Sequence, residues 1–370
     1  MKKLTLKETS IAADALIRKI KRLCVPGERV RLMEVCGTHT VAIFREGIRS
    51  LLPEEIELVS GPGCPVCVTD GSYIDKALAY AAMEDVILVT FGDMLKVPGK
   101  DGNLGQARAA GADIRIMYGP LDVIDIGRAN PDKIVILLAI GFETTVATMA
   151  GTMAAVIASE LGNVRFLISH KLVPPALEVL LTDGKSRLDG FLLPGHVSVI
   201  IGEKPYAFLA DRYRMPSVIA GFTGVELLTA VADIMEQRDT GRIVVGNTYR
   251  SAVKPEGNPV ALRMMDRYYE VCDDTWRGLG LIPQSGLKVR EEFARIDIER
   301  ERPVTGAVPG IVPHGCSCGD VLQGIVMPKE CNLFGRVCTP DHAVGPCMVS
   351  DEGACAAWYR FGAGKTELWV

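Results

Sequence analysis

Ile134-Val135-Ile136-Leu137-Leu138-Ala139-Ile140-Gly141-Phe142-Glu143-Thr144-Thr145 is the stretch that decides the fold class. Its apolar run from Ile134 to Ile140 has the length of a strand and falls far short of the roughly 20 residues of a membrane span. A strand apolar on both faces belongs in a sheet covered on both sides, the habit of parallel sheets. Gly141-Phe142-Glu143-Thr144-Thr145 then opens a helix through about Leu161, with Thr144 or Thr145 able to cap it.

The same rhythm extends outward from this stretch. Upstream, residues 8–23 carry Ile11, Ala15, Leu16 and Ile20 on one helical face. Residues 29–35 read as a strand ending at Cys36, and 56–60 as a strand ending at Gly61-Pro62-Gly63. A helix over 72–83, a strand over 86–90, a helix over 103–111 and a strand over 114–118 follow. Downstream come a helix over 121–129, a strand over 164–169, a helix over 174–182, strands over 190–193 and 218–221, and a helix over 223–237. Such βαβα alternation implies parallel sheets with helices on both faces. The expected architecture is α/β, with one domain over 25–119 and a second over 120–245, facing each other across a cleft. No residue-level repeat relates the two. From about residue 243 the pattern weakens, although 258–275 still fits a helix. Residues 246–370 read as an irregular third domain rich in Gly, Pro and Cys. It buries too little to fold alone, so a metal cluster would supply its cross-links. The helix over 8–23 is a candidate to pack against this domain.

Net charge of −4 gives no electrostatic case for nucleic-acid binding. The start, Met1-Lys2-Lys3-Leu4-Thr5, lacks the apolar run of a signal peptide, and no segment is long enough to enter a membrane. A soluble, cytoplasmic protein is expected. A reducing compartment favours metal-binding or catalytic cysteines over a disulfide framework.

Of the 11 cysteines, Cys316, Cys318, Cys331, Cys338, Cys347 and Cys355 crowd the end of the chain. Thiolates at this density suit an iron–sulfur cluster or zinc. The long, irregular spacings argue against a zinc ribbon. Four of the six suffice for a cubane, and spacing does not choose among them. Upstream, Cys36-Gly37-Thr38-His39-Thr40 places a thiol at the carboxyl end of a strand, where ligands bind in open parallel sheets. Beside His39 and a helix amino end that thiol should have a lowered pKa, and the pair could hold a metal or act as nucleophile and base. The plain alternative is a buried structural cysteine followed by a capping threonine. Gly63-Cys64-Pro65-Val66-Cys67 is a Cys-x-x-Cys pair suited to redox chemistry or to half of a zinc site. Cys24 and Cys272 stand alone and read as packing residues, and His170 and His196 follow predicted strands. Two resemblances fail. Gly362-Ala363-Gly364-Lys365-Thr366 lacks the first glycine of a phosphate loop, and Gly61-Pro62-Gly63 lacks the third glycine of a dinucleotide fingerprint.

Taken in order along the chain, certain pieces together resemble the HypD family of nickel–iron hydrogenase maturation proteins. They are Cys36-Gly37-Thr38-His39-Thr40, Gly61-Pro62-Gly63-Cys64-Pro65-Val66-Cys67, Thr90-Phe91-Gly92-Asp93-Met94, Gly141-Phe142-Glu143-Thr144-Thr145, Leu193-Pro194-Gly195-His196-Val197, Phe334-Gly335-Arg336-Val337-Cys338 and Gly345-Pro346-Cys347-Met348. The resemblance implies a scaffold on which the Fe(CN)2CO group is built. It implies work with HypC and HypE, and indirectly with HypF and the hydrogenase large subunit. It further implies a [4Fe-4S] cluster in the tail, with Cys36 holding a transient iron that carries cyanide and carbonyl, and with Cys64 and Cys67 as a redox pair.

Three readings therefore compete: this scaffold, a cluster-dependent thiol–disulfide oxidoreductase acting on a protein substrate, and a metal chaperone with a zinc tail. For the cluster, Cys331, Cys338 and Cys355 are expected as ligands with a fourth from Cys316 or Cys318. Cys347 could equally occupy a tight turn packed on the cluster. His39 is expected to orient or deprotonate Cys36, with Thr144, Thr145 and His196 supporting the cleft. The tail should fold back onto the first domain and bring the cluster within about 10 Å of Cys64 and Cys67, because thiol relays depend on proximity.

Overall fold

The chain starts one sheet, leaves it to build a second, returns to the first, and ends by adding a hairpin to the second. In chain order the strands are β1 (Val30–Glu34), β2 (Ile56–Ser60), β3 (Val86–Thr90), β4 (Ile114–Ile116), β5 (Ile134–Gly141), β6 (Val164–Lys171), β7 (Gly190–Pro194), β8 (Ser217–Ala220), β9 (Val245–Asn247), β10 (Tyr269–Trp276) and β11 (Gly280–Val289). The computed structural model describes residues 6–310 and 313–362. In it the strands form a five-stranded sheet ordered β2-β1-β7-β8-β9 and a six-stranded sheet ordered β10-β11-β6-β5-β3-β4. The first is wholly parallel.

The sheets are therefore interleaved in sequence. The expected boundary between 119 and 120 falls inside the second sheet, between β4 and β5, and the first sheet takes strands from both sides of it. Local pattern identifies a strand, whereas its sheet is set by pairing across the chain, here Leu32 with Gly190 and Met33 with Phe191. As expected, β5 is buried on both faces: Val135, Ile136, Leu137, Leu138 and Ala139 are wholly inaccessible.

The second sheet is mixed rather than purely parallel. The helix expected over 258–275 ends early, as Pro259–Tyr268, and the chain continues as β10. It turns at Gly278 and Gly280, both at positive φ, and returns antiparallel as β11. Tyr269, Val271, Asp273, Asp274 and Thr275 are poor helix formers, and the pairing of β11 with β6 at His170 and Lys171 gives the hairpin a sheet to join.

The helix Leu6–Leu23 does not lie on the cysteine tail. It packs along the helix Gly224–Thr240, where Ile20 joins Val30, Leu32 and Leu228 in one core and Lys19 pairs with Glu236 at 2.6 Å. The tail instead folds back on the helix Gly37–Arg45. Trp358 meets Phe44 edge-on at 5.1 Å. The Arg49 guanidinium lies 4.9 Å from the Phe44 ring and 5.0 Å from the Trp358 ring, and pairs with buried Glu34 at 2.9 Å. Residues 363–366 of the failed phosphate-loop resemblance lie outside the described residues. Among the described residues no helix is long and apolar enough to cross a membrane.

Candidate thiol site and metal centre

Each sheet has a point where its strand order reverses. In the first, the chain steps from β1 outward to β2 and from β7 outward the other way to β8. In the second it steps from β3 to β4 one way and from β5 to β6 the other. Ligands bind in the crevice beyond the carboxyl ends of such strands. Cys36 follows β1, His196 follows β7, Phe91 follows β3, and Phe142 to Thr145 follow β5. The two reversal points converge. Cys36, Thr38, Thr144, Thr145, His196 and Glu352 line one cavity of about 430 Å³. A neighbouring cavity of about 390 Å³ shares Pro65, Thr145 and Glu352 and extends to Phe91 and Asp93. A larger recess of about 520 Å³ opens by Val86 and Lys133, at the amino ends of β3 and β5, and is lined by neither cysteine nor histidine.

Cys36 precedes the helix Gly37–Arg45, yet its thiol is not acidic. Burial pushes its pKa up to about 11, the backbone N–H groups of His39 and Thr38 pull it down only in part, and the Glu352 charge pushes it further up. Desolvation here outweighs the helix end, reversing the expectation from sequence. The His39 side chain turns away from the thiol. Its Nε2 lies 3.2 Å from Ala220 O, its ring leans on Phe222 at 4.8 Å, and burial lowers its pKa to about 4. His39 thus contributes its backbone N–H to Cys36, and no side-chain bond between them is present. A neutral, buried thiol becomes a strong ligand when an arriving cation displaces its proton.

The Cys64–Cys67 pair sits directly against Cys36. A side chain at Gly63 would meet the backbone N of Cys36 at 2.5 Å, so only glycine admits this approach, and Gly37 N–H donates to Gly63 O at 3.1 Å. Cys64 and Cys67 are joined as a disulfide at the start of the short helix Pro65–Val68. On the other side of the pair, Cys67 Sγ lies 3.8 Å from Pro346 O, the residue before Cys347.

The structure gathers the six tail cysteines. Cys316, Cys318, Cys331, Cys338, Cys347 and Cys355 all line one cavity, walled by Val321, Leu333, Phe334 and Met348. Cys347 lies in the middle: its thiol is electrostatically coupled to Cys318 and Cys355, and Cys318 in turn to Cys316. Cys338 Sγ accepts from Val344 N–H at 3.4 Å. Among the described residues no three His, Cys, Asp or Glu side chains form a site for a single metal ion. A cubane does not require that convergence, because each thiolate binds its own iron. The donor chemistry fits such a cluster: soft sulfur, apolar walls, and Gly345, where a side chain would collide with Cys316 Sγ.

Across the whole chain, the comparison with known proteins agrees with these motifs. A family model described as "HypD: Hydrogenase formation hypA family" matches residues 11–362. The chain belongs to the HypD family. The hydrogenase maturation factor HypD of Rhizobium leguminosarum bv. viciae is 41% identical, covering 98% of this chain and 96% of that protein. The hydrogenase expression/formation protein HupD of Azotobacter chroococcum is 42% identical over 95% of this chain and 94% of its own. The hydrogenase maturation factor HypD of Escherichia coli is 41% identical over 96% and 95%. This family member is a hydrogenase maturation factor.

Two groups, Glu352 on the cleft wall and Glu143 buried behind it, had no role in the sequence reading. Glu352 accepts from Thr38 Oγ1 at 2.6 Å, and its backbone packs so tightly on Gly37 that a Cβ there would meet Glu352 O at 2.3 Å. Its position between Cys347 and Cys355 was the available signal. Glu143 sits inside a quoted motif. It accepts from Val173 N–H at 2.9 Å, its other oxygen is unpartnered, and burial pushes its pKa up to about 7. His170 and Lys171 lie outside the cleft: Lys171 pairs with Asp274 at 2.5 Å, and His170 packs edge-on against Tyr269 at 5.1 Å.

Proposed function

We propose that this maturation factor is the scaffold on which iron acquires its cyanide and carbonyl ligands before delivery to a nickel–iron hydrogenase large subunit. Iron is the cargo. Cys36 holds it from the floor of the cleft, since low-spin iron with strong-field carbon ligands takes soft thiolate support. Thr144, Thr145 and His196 flank the cargo, and Glu352 fixes Thr38 beside Cys36. HypC brings a second iron-binding group to the cleft mouth, and HypE, charged by HypF, presents the cyanide there.

Cys64 and Cys67 accept two electrons and two protons when their disulfide opens to two thiols. Four of the six tail cysteines, Cys331, Cys338 and Cys355 with Cys316 or Cys318, hold a [4Fe-4S] cluster. That cluster, when bound, would supply those two electrons one at a time, each drawn from an external electron donor. The single observation that carries this reading is contiguity. Cys36 touches the Cys64–Cys67 loop through Gly63, and that pair touches the tail cavity through Pro346. A free-standing thiol–disulfide oxidoreductase would use the second contact and leave the Cys36 cleft without a task.

Infrared spectroscopy of the protein purified anaerobically with HypC decides between them. Cyanide and carbonyl stretches are expected. Dithiol redox activity without those bands would select the oxidoreductase, and zinc with no cluster absorbance would select a metal chaperone.

A further inference from the structure

Arg277 is 1% exposed and makes no ion pair among the described residues. Its Nε donates to Thr69 O at 2.9 Å and a terminal nitrogen reaches Pro98 O at 3.5 Å. Its backbone N–H donates to Val68 O at 2.8 Å. Burying a guanidinium without a counter-ion costs several kcal/mol, and two neutral carbonyls offset only part of that. A fold that keeps such a charge inside has a negative partner for it in some working state.

The turn bearing Arg277 is clamped between the two thiol centres. On one side, Val68 and Thr69 are the residues that follow Cys67. On the other, Gly278 lies against Gly319, next to Cys318: a side chain at Gly278 would meet Gly319 Cα at 2.4 Å. Gln323 Nε2, just beyond the helix Cys318–Leu322, donates to Gly278 O at 2.8 Å. No charged side chain lines the cysteine cavity itself, and Arg277 stands behind its wall, one residue from the Gly278–Gly319 contact.

We propose that Arg277 is the fixed counter-charge of the cysteine cavity, a positioning residue that offsets the negative charge of metal-bound thiolates and raises the potential at which the cluster accepts an electron. This rests on the cluster reading above. Each electron added to a thiolate-bound cluster adds negative charge to a buried site, and a cation held nearby in low dielectric eases that addition. Thr69 O fixes the guanidinium beside the Cys64–Cys67 segment, so the charge is set where an electron has to be passed on.

The test uses the full chain, reconstituted anaerobically, as wild type, Arg277→Gln, Arg277→Lys and Arg277→Met. Iron content and far-ultraviolet circular dichroism report loading and folding, and a paramagnetic-resonance redox titration reports the potential. Arg277→Gln should load its cluster and titrate at a more negative potential, and Arg277→Lys, which keeps the charge, should stay near wild type. If Gln and Met fail to hold iron while Lys holds it, the charge is again the requirement. Equal potentials in wild type, Lys and Gln, or equal loss of cluster from all three variants, would reduce Arg277 to a packing residue. Absence of iron–sulfur signals from the wild type would instead remove the cluster reading itself.

Discussion

Cys36 and Cys347 are both buried thiols, 7% and 1% exposed, but different forces hold them in place. Cys36 is set by topology. It ends a strand paired on both sides, by β2 and β7, and its position follows from where the strand order reverses. Cys347 lies in a single turn of 3-10 helix, Pro346–Met348, within a tail of short helices and turns whose shared feature is the cysteine cavity. On the function proposed above, the cleft would hold cargo on a preformed scaffold, whereas the tail is chain that a metal centre would cross-link. Loss of the metal-binding residue should therefore have opposite structural consequences in the two regions.

The largest effect belongs to Cys36. Cys36→Ala should abolish cyanide and carbonyl bands in the complex with HypC, while cluster absorbance and the thermal transition stay at wild-type values. Bands that survive in this variant would place the iron elsewhere. In the tail the balance reverses: Cys338→Ser or Cys355→Ser should lose the cluster and expose residues 313–362 to limited proteolysis, with both sheets still folded. Full iron–sulfur content in these variants would break the contrast between the regions.

A smaller effect is expected where the regions meet. Glu352 is carried by the tail but bonded to Thr38 in the cleft. Glu352→Gln should weaken retention of the assembled iron group by about tenfold, the size of one charge-assisted hydrogen bond, at unchanged cluster content. Retention equal to wild type would mean that the tail covers the cleft without acting in it.

The smallest effect is on pH dependence, and it comes from the sheet region. Folded His39 stays neutral down to about 4 and folded His170 down to about 3, whereas an unfolded histidine takes its proton near 6.5. Between those values the unfolded chain binds more protons. The stabilisation is complete above about pH 6.5 and is lost as pH falls toward 4, up to about 3 kcal/mol for His39. Glu143 acts in the opposite direction: its pKa, raised to about 7, favours the fold at low pH, and that contribution fades as pH rises through 7. His39→Phe should flatten the acid limb of a urea-midpoint profile between pH 7 and 4.5. An unchanged limb would assign acid sensitivity to other groups.

Much of this was legible beforehand because buried parallel strands are apolar on both faces. The strands β1 to β8 lie within a few residues of where periodicity placed them, and the motifs that follow β1, β5 and β7 meet in the cleft as expected. The β10–β11 hairpin was not legible. Its residues are poor helix formers without a clean alternation, and its stability comes from pairing with β6. Glu352 and Arg277 were equally hidden, because a lone charged side chain reads as plain surface until the fold buries it, as it does Arg277, or bonds it across the chain, as it does Glu352 to Thr38.

By itself the sequence determined the α/β class and the family, and it marked the three groups of cysteines, because each depends on residue types at short range. The tertiary structure alone decided that the two sheets interleave, that the helix Leu6–Leu23 packs on Gly224–Thr240, and that His39 faces the core while Glu352 faces the cleft. It also decided that burial, and not a helix end, governs the Cys36 thiol. Those outcomes depend on which surfaces meet across hundreds of residues, and desolvation and close packing are properties of that meeting, with no local signature in the chain.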